Sequence, residues 1–113
     1  MHVTREESES PVPVLRLEGD FDAFETEDLR QELAKLLAEG HATSIMNLAP
    51  MNFANSTTIA CFISAQQRAR GQGGEIVFAA PQEFFLKTLQ TLGLDEIFPI
   101  FETMDAAQAH VAS

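Results

Sequence analysis

The stretch Phe53-Ala54-Asn55-Ser56-Thr57-Thr58-Ile59 places three hydroxyl residues in a row between an apolar, strand-like run and an amphipathic helix. Upstream, Ser44-Ile45-Met46-Asn47-Leu48 alternates polar and apolar before Pro50, the pattern of a short strand ending at a turn. Downstream, Ile59, Phe62, Ile63 and Ala69 recur at helical spacing until Gly71-Gln72-Gly73-Gly74 breaks the pattern. The spacing predicts a helix from Ser56 to about Arg70, with Ser56 exposed where strand gives way to helix. A serine there can cap the helix, worth about 1 kcal/mol, or carry a phosphate that the helix N-terminus tolerates.

The same alternation of strand and helix extends outward in both directions. Val3 sits in a short edge strand of a loose N-terminal segment, residues 1–10, and Val12, Val14, Leu15 and Leu17 read as the next strand, ending at Gly19. Phe21 and Phe24 flank an acidic loop, after which Thr26 caps a helix with Leu29, Leu33, Leu36 and Leu37 in one stripe and Gly40 as its stop. The run from Glu75 to Ala80 reads as a buried strand, and Pro81 opens a helix carrying Phe84, Phe85, Leu89 and Leu92. Adjacent Phe84 and Phe85 cannot both face inward from a helix, so one of them is a candidate surface contact. A last strand is expected over Ile97 to Phe101 and a final helix over Met104 to Val111. The order β-β-α-β-α-β-α-β-α describes an α/β fold, a mixed sheet of four to five strands packed with about four helices in one domain spanning 1–113.

Composition excludes several functions. The chain has 113 residues, a length suited to one domain with a real core. Its net charge is -10 and it has seven Lys and Arg, a balance that argues against nucleic acid as a partner. Arg68 and Arg70 form a basic pair explained by the dipole at a helix end. No apolar run approaches the roughly 18 residues of a membrane span, and the acidic N-terminus does not read as a signal peptide. A cytoplasmic protein without direct membrane insertion is therefore expected. The single cysteine, Cys61, has no internal disulfide partner and reads as a small buried apolar residue. His2, His41 and His110 lack metal-site spacing, and Asp20 with Asp22 suits a solvated loop better than an acid–base pair. The glycine cluster after Arg70 follows a helix instead of a strand, so it is a turn and not a phosphate cradle. Neither a cofactor nor an enzymatic activity is expected.

Five segments carry a resemblance: Leu17-Glu18-Gly19-Asp20-Phe21-Asp22, Thr26-Glu27-Asp28-Leu29-Arg30, Leu48-Ala49-Pro50-Met51-Asn52-Phe53, Arg70-Gly71-Gln72-Gly73-Gly74-Glu75-Ile76 and Leu92-Gly93-Leu94-Asp95-Glu96-Ile97-Phe98. From about Val12 to Val111 the chain resembles the STAS domain family, in particular the bacterial anti-sigma factor antagonists. That family carries Asp-Ser-(Ser/Thr)-Gly at the strand-to-helix junction, where a cognate anti-sigma kinase phosphorylates the first serine. Asn55, Ser56, Thr57 and Thr58 occupy those positions, so the resemblance implies that Ser56 is the phosphoacceptor. Asn55 keeps the size and hydrogen bonding of the usual Asp without its charge, and Thr58 sets a β-branched side chain where the family has Gly.

The resemblance further implies a non-enzymatic regulator of transcription that works by partner switching. It would sequester an anti-sigma factor, a serine-protein kinase of histidine-kinase-like ATPase type, and release it on phosphorylation of Ser56. The expected partner surface comprises Asp20, Phe21, Asp22 and Phe24 together with Asn55, Ser56, Thr57, Thr58 and Ile59. The alternative is a non-switching STAS scaffold or accessory subunit of a signalling or transporter complex, and self-association is compatible with either.

Overall fold

Four-residue strands built around adjacent buried apolar residues recur at β2 (Val14–Leu17), β4 (Ser44–Asn47) and β6 (Ile76–Ala79), and these form the parallel centre of the sheet. The computed structural model describes residues 2–7 and 10–112. An antiparallel strand, β1 (Val3–Glu6), pairs on one side of β2, and the two-residue β7 (Ile100–Phe101) pairs parallel on the far side of β6. The sheet order is β1-β2-β4-β6-β7. Register matches Val14 with Ile45, Ile45 with Val77, and Phe78 with Ile100.

Successive side chains of a strand point to opposite faces, so the central strands bury residues on both sides and require helices on both. On one face Leu15, Met46 and Phe78 meet α1 (Ala23–Ala38), α2 (Ser56–Gly71) and α3 (Glu83–Thr91) through Leu29, Leu33, Leu36, Phe62, Ala65, Phe85 and Leu89. Here Phe78 is the hub of a ring cluster, 4.9 Å from Phe62, 5.9 Å from Phe85 and 4.5 Å from Phe98 between centroids. On the other face Val14, Ile45, Val77 and Ala79 are covered by α4 (Met104–Ala112) through Ala107, with Met104 and Val111 beside it. No helix among the described residues is long and apolar enough to cross a membrane.

Several elements differ from expectation. Residues read as an acidic loop and a turn form two further strands, β3 (Gly19–Phe21) and β5 (Met51–Ala54), which pair in parallel as a separate two-stranded sheet. Their strength comes from pairing across more than thirty residues of chain, which no local pattern reveals. The cap of α1 is Asp22, four residues before the expected Thr26, and the Glu25 carboxylate accepts the Asp22 backbone N–H at 3.0 Å. Thr26 is buried inside the helix instead. The last strand shortens to Ile100–Phe101 because Leu94–Glu96 forms a 3-10 turn, and the Phe98 N–H bonds back to the Leu94 carbonyl at 3.0 Å. Of the adjacent rings, Phe85 is 1% exposed and Phe84 36%.

A buried amide ties this last segment to the core. Gln66 of α2 accepts the Ile76 N–H at 2.6 Å and donates to the carbonyls of Ile76 and Ile97, at 3.3 and 3.0 Å. Arg70 donates to the same Ile97 carbonyl at 2.7 Å, so this arginine does more than answer the helix dipole.

The turn after α2 tests the geometry. A Cβ on Gly74 would lie 2.2 Å from the Ala42 carbonyl oxygen, whereas one on Gly73, at φ +86°, would meet nothing within 4 Å. Gly74→Ala should therefore cost about 3 kcal/mol through backbone displacement. Gly73→Ala should cost about 1 kcal/mol through its left-handed conformation alone. Urea unfolding of the two variants checks the order; equal losses would refute the close approach.

Candidate functional site

The β3–β5 pair sets Asp20 opposite Phe53 and Phe21 opposite Ala54. Because β3 leads into α1 and β5 into α2, this pairing lays the two helix N-termini side by side. The two segments singled out in the sequence, residues 20–24 and 55–59, thus come together although about thirty residues separate them.

Between the junctions lies a buried hydrogen-bond hub. Asn55 caps α2: its Oδ1 accepts the Thr58 N–H at 3.0 Å and lies 3.1 Å from the Thr58 hydroxyl. That hydroxyl is also 3.3 Å from the Phe21 carbonyl and 2.9 Å from the Thr26 hydroxyl. Asn55 Oδ1 and the Phe21 carbonyl can only accept, so giving the single Thr58 proton to either of them requires Thr26 to donate to Thr58. No buried side-chain polar atom among the described residues is left unpaired.

The residues expected at a partner surface divide into two sets. Asp20, Asp22, Ser56 and Thr57 are exposed, and Phe24 is 84% exposed, an extreme value for so large an apolar side chain. Phe21 and Thr58 are 0% exposed, which corrects their placement on that surface: they hold it up from within. Asn55 is half-buried, as is Ile59, which packs against the main core.

Ser56 is the first residue of α2 and not its cap. Its hydroxyl has no hydrogen-bond partner among the described residues. The Thr58 and Ile59 N–H groups are taken by Asn55, through Oδ1 and the carbonyl, leaving those of Ser56 and Thr57 free of intrahelical partners. The first turn of α2 carries no acid, so the helix dipole there is locally uncompensated.

Phe53 was not singled out by sequence reasoning and is 46% exposed. Strict alternation would place it on the same side as buried Met51, but the ladder slips between Gly19 and Asp20, opposite Asn52, and the bulge turns Phe53 outward. A second missed feature is a groove of about 330 Å³ between α1 and α2, lined by Thr26, Glu27, Arg30, Thr57, Ala60 and Cys61. Arg30 donates to both carboxylate oxygens of Glu27, which lowers the carboxyl pKa and raises that of the guanidinium. Burial raises the Cys61 thiol above its ordinary value, so at neutral pH it is not a thiolate nucleophile. Among the described residues no three His, Cys, Asp or Glu side chains cluster as a metal site. His110 instead pairs with Glu75 at 2.7 Å and lies against Phe101.

The hub predicts a particular non-additivity. Thr58→Val or Thr26→Val alone strands a buried partner and should cost about 2 kcal/mol, while the double variant removes both hydroxyls and should cost clearly less than the sum. A double-mutant cycle by denaturant unfolding measures this; strictly additive losses would show that the two hydroxyls do not interact.

The model of the STAS domain family matches residues 3–107. Protein TM1081 of Thermotoga maritima has the same fold, with a TM-score of 0.90 at 16% identity over 98% of this chain and 95% of its own. An anti-sigma factor antagonist from Mycobacterium paratuberculosis matches at 0.87 and 20% identity, over 98% of this chain and 93% of its own. The Bacillus cell fate determinant SpoIIAA matches in its phosphorylated form at 0.78 and 21% identity, covering 96% of this chain and 98% of that one. Its unphosphorylated form matches at 0.77 and 19% identity, covering 98% of each chain. With four helices, a mixed five-stranded sheet and a family match over nearly its whole length, the chain belongs to the STAS domain family.

Proposed function

We propose that this protein is an anti-sigma factor antagonist that acts by binding, sequestering an anti-sigma factor that is also a serine kinase, and that phosphorylation of Ser56 ends the complex. The observation that carries this reading is the division of labour at the junction. Asn55 caps α2, so Ser56 is not needed for capping and presents an exposed hydroxyl at the helix start. The partner surface is formed by Asp20, Asp22, Phe24 and Phe53 beside Asn55, Ser56 and Thr57. Its apolar anchor is Phe24, held on the first turn of α1. The kinase is of histidine-kinase-like ATPase type, a class suggested by family resemblance.

Charge supplies the switch. A phosphate adds about -1.5 to -2 units at neutral pH, at a site beside Asp20 and Asp22. In a docked complex that charge must lose its water, and Arg30 of the adjoining groove is already engaged with Glu27. In the free protein the unbonded N–H groups of Ser56 and Thr57 and the dipole of α2 accommodate it without refolding. That SpoIIAA matches this chain equally well in its two forms supports a switch without rearrangement of the fold.

The test uses an ATPase of this type encoded near the gene. Incubation with ATP should add one phosphate to the wild type and none to Ser56→Ala, by intact mass and peptide mapping. Ser56→Asp should weaken binding to that ATPase about tenfold or more in calorimetry. Label on Thr57 would move the acceptor by one residue, and unchanged affinity of Ser56→Asp would favour a non-switching scaffold.

A further inference from the structure

Away from the Ser56 surface, the sheet ends in an open edge at β7. The carbonyls of Pro99 and Phe101 accept the N–H groups of Phe78 and Ala80, at 2.9 and 2.8 Å. In a parallel ladder alternate residues bond to alternate sides, so Ile100, between them, turns its N–H and carbonyl away from β6. No strand of the described residues pairs with that side. Along it runs a groove of about 530 Å³ between β7 and α3, with Leu86, Ile100 and Phe101 as apolar wall and Glu83, Asp95 and Glu102 as polar lining.

We propose that this edge takes up an extended segment of a partner protein with alternating apolar and basic side chains, which adds to the sheet beside β7. Strand addition needs unpaired backbone groups and side-chain pockets next to them, and the edge offers both. Two backbone bonds at Ile100 are few, so selection falls to the groove and its charge. Asp95 and Glu102 have no cationic partner among the described residues, and Glu83 shares an exposed contact with Lys87 at 3.1 Å. Basic side chains complement that lining. A second copy of this chain does not, because it would bring the same carboxylates and a net charge of -10 to the edge. The surface uses none of the residues of the Ser56 junction, so it stands whether or not the proposed switch does.

The probe is a capped synthetic peptide, Lys-Val-Lys-Val-Lys, titrated into the full chain and followed by amide NMR. Shifts should centre on Ile100, whose amide should exchange with solvent more slowly in the complex. Asp95→Lys with Glu102→Lys should weaken binding about tenfold, and raised salt should do the same in the wild type. A peptide methylated on the central backbone nitrogens should lose binding. Methylated peptide binding as tightly, or shifts centred away from β7, would overturn the proposal. So would a Glu-Val-Glu-Val-Glu peptide of equal affinity, or an Ile100 shift that follows protein concentration alone, which would assign the edge to a second copy.

Discussion

Three central strands buried on both faces constrain everything else in this molecule. Val14 with Leu15, Ile45 with Met46 and Val77 with Phe78 each send one side chain to either side of the sheet, and each must leave water. Three helices crowd one side and, among the described residues, α4 is the one helix that covers part of the other. Because β2, β4 and β6 run parallel and each is followed in the chain by α1, α2 or α3, the N-termini of these helices share one end of the sheet. The β3–β5 pair arises there, where the chain passes from each central strand to its helix. The exposed junction is therefore a product of how the core is covered, and its surface residues need contribute little to stability.

At that junction, the two departures from the family motif fit each other. Asn accepts a helix N–H as well as Asp does, so the loss of charge at position 55 leaves the cap intact. A threonine in place of glycine introduces a methyl group and a hydroxyl into a space with 0% exposure. The hydroxyl would be costly there without partners, and Thr26 and the Phe21 carbonyl, with Asn55, provide them. What looks like a degenerate motif residue by residue is a closed set of hydrogen bonds in three dimensions, and it leaves Ser56 outside that set.

The strands β2, β4 and β6 and the helix stripes were legible because each is a local pattern enforced by burial. So was the start of α2 at Ser56, since a polar run separates two apolar periods. The cap at Asp22 was misplaced because Thr26 is an equally good cap by type; only the reach of Glu25 back to Asp22 decides between them. β3 and β5 were missed because strands of three and four residues gain their hydrogen bonds from each other and not from their neighbours in sequence. The same holds for the site. Ser56 and the 20–24 segment could be named from local chemistry, but Phe53 turns outward through a bulge, and Thr58 turns inward toward a residue on another helix.

Gln66 carries a consequence for how the protein can change over generations. Its amide bonds only to main-chain atoms of Ile76 and Ile97, so the constraint falls on one side chain while its partners are groups that every residue type shares, save for the N–H that proline lacks. Side chains at 76 and 97 are free to drift under packing alone. Position 66 is not, because a shorter or apolar replacement would strand the Ile76 N–H in the interior. Through the Ile97 carbonyl the same amide joins the last quarter of the chain to the middle of α2, so a two-residue strand that would otherwise fray opens together with the core. A single glutamine thus makes the C-terminal segment part of one cooperative unit while leaving most of its sequence open to variation.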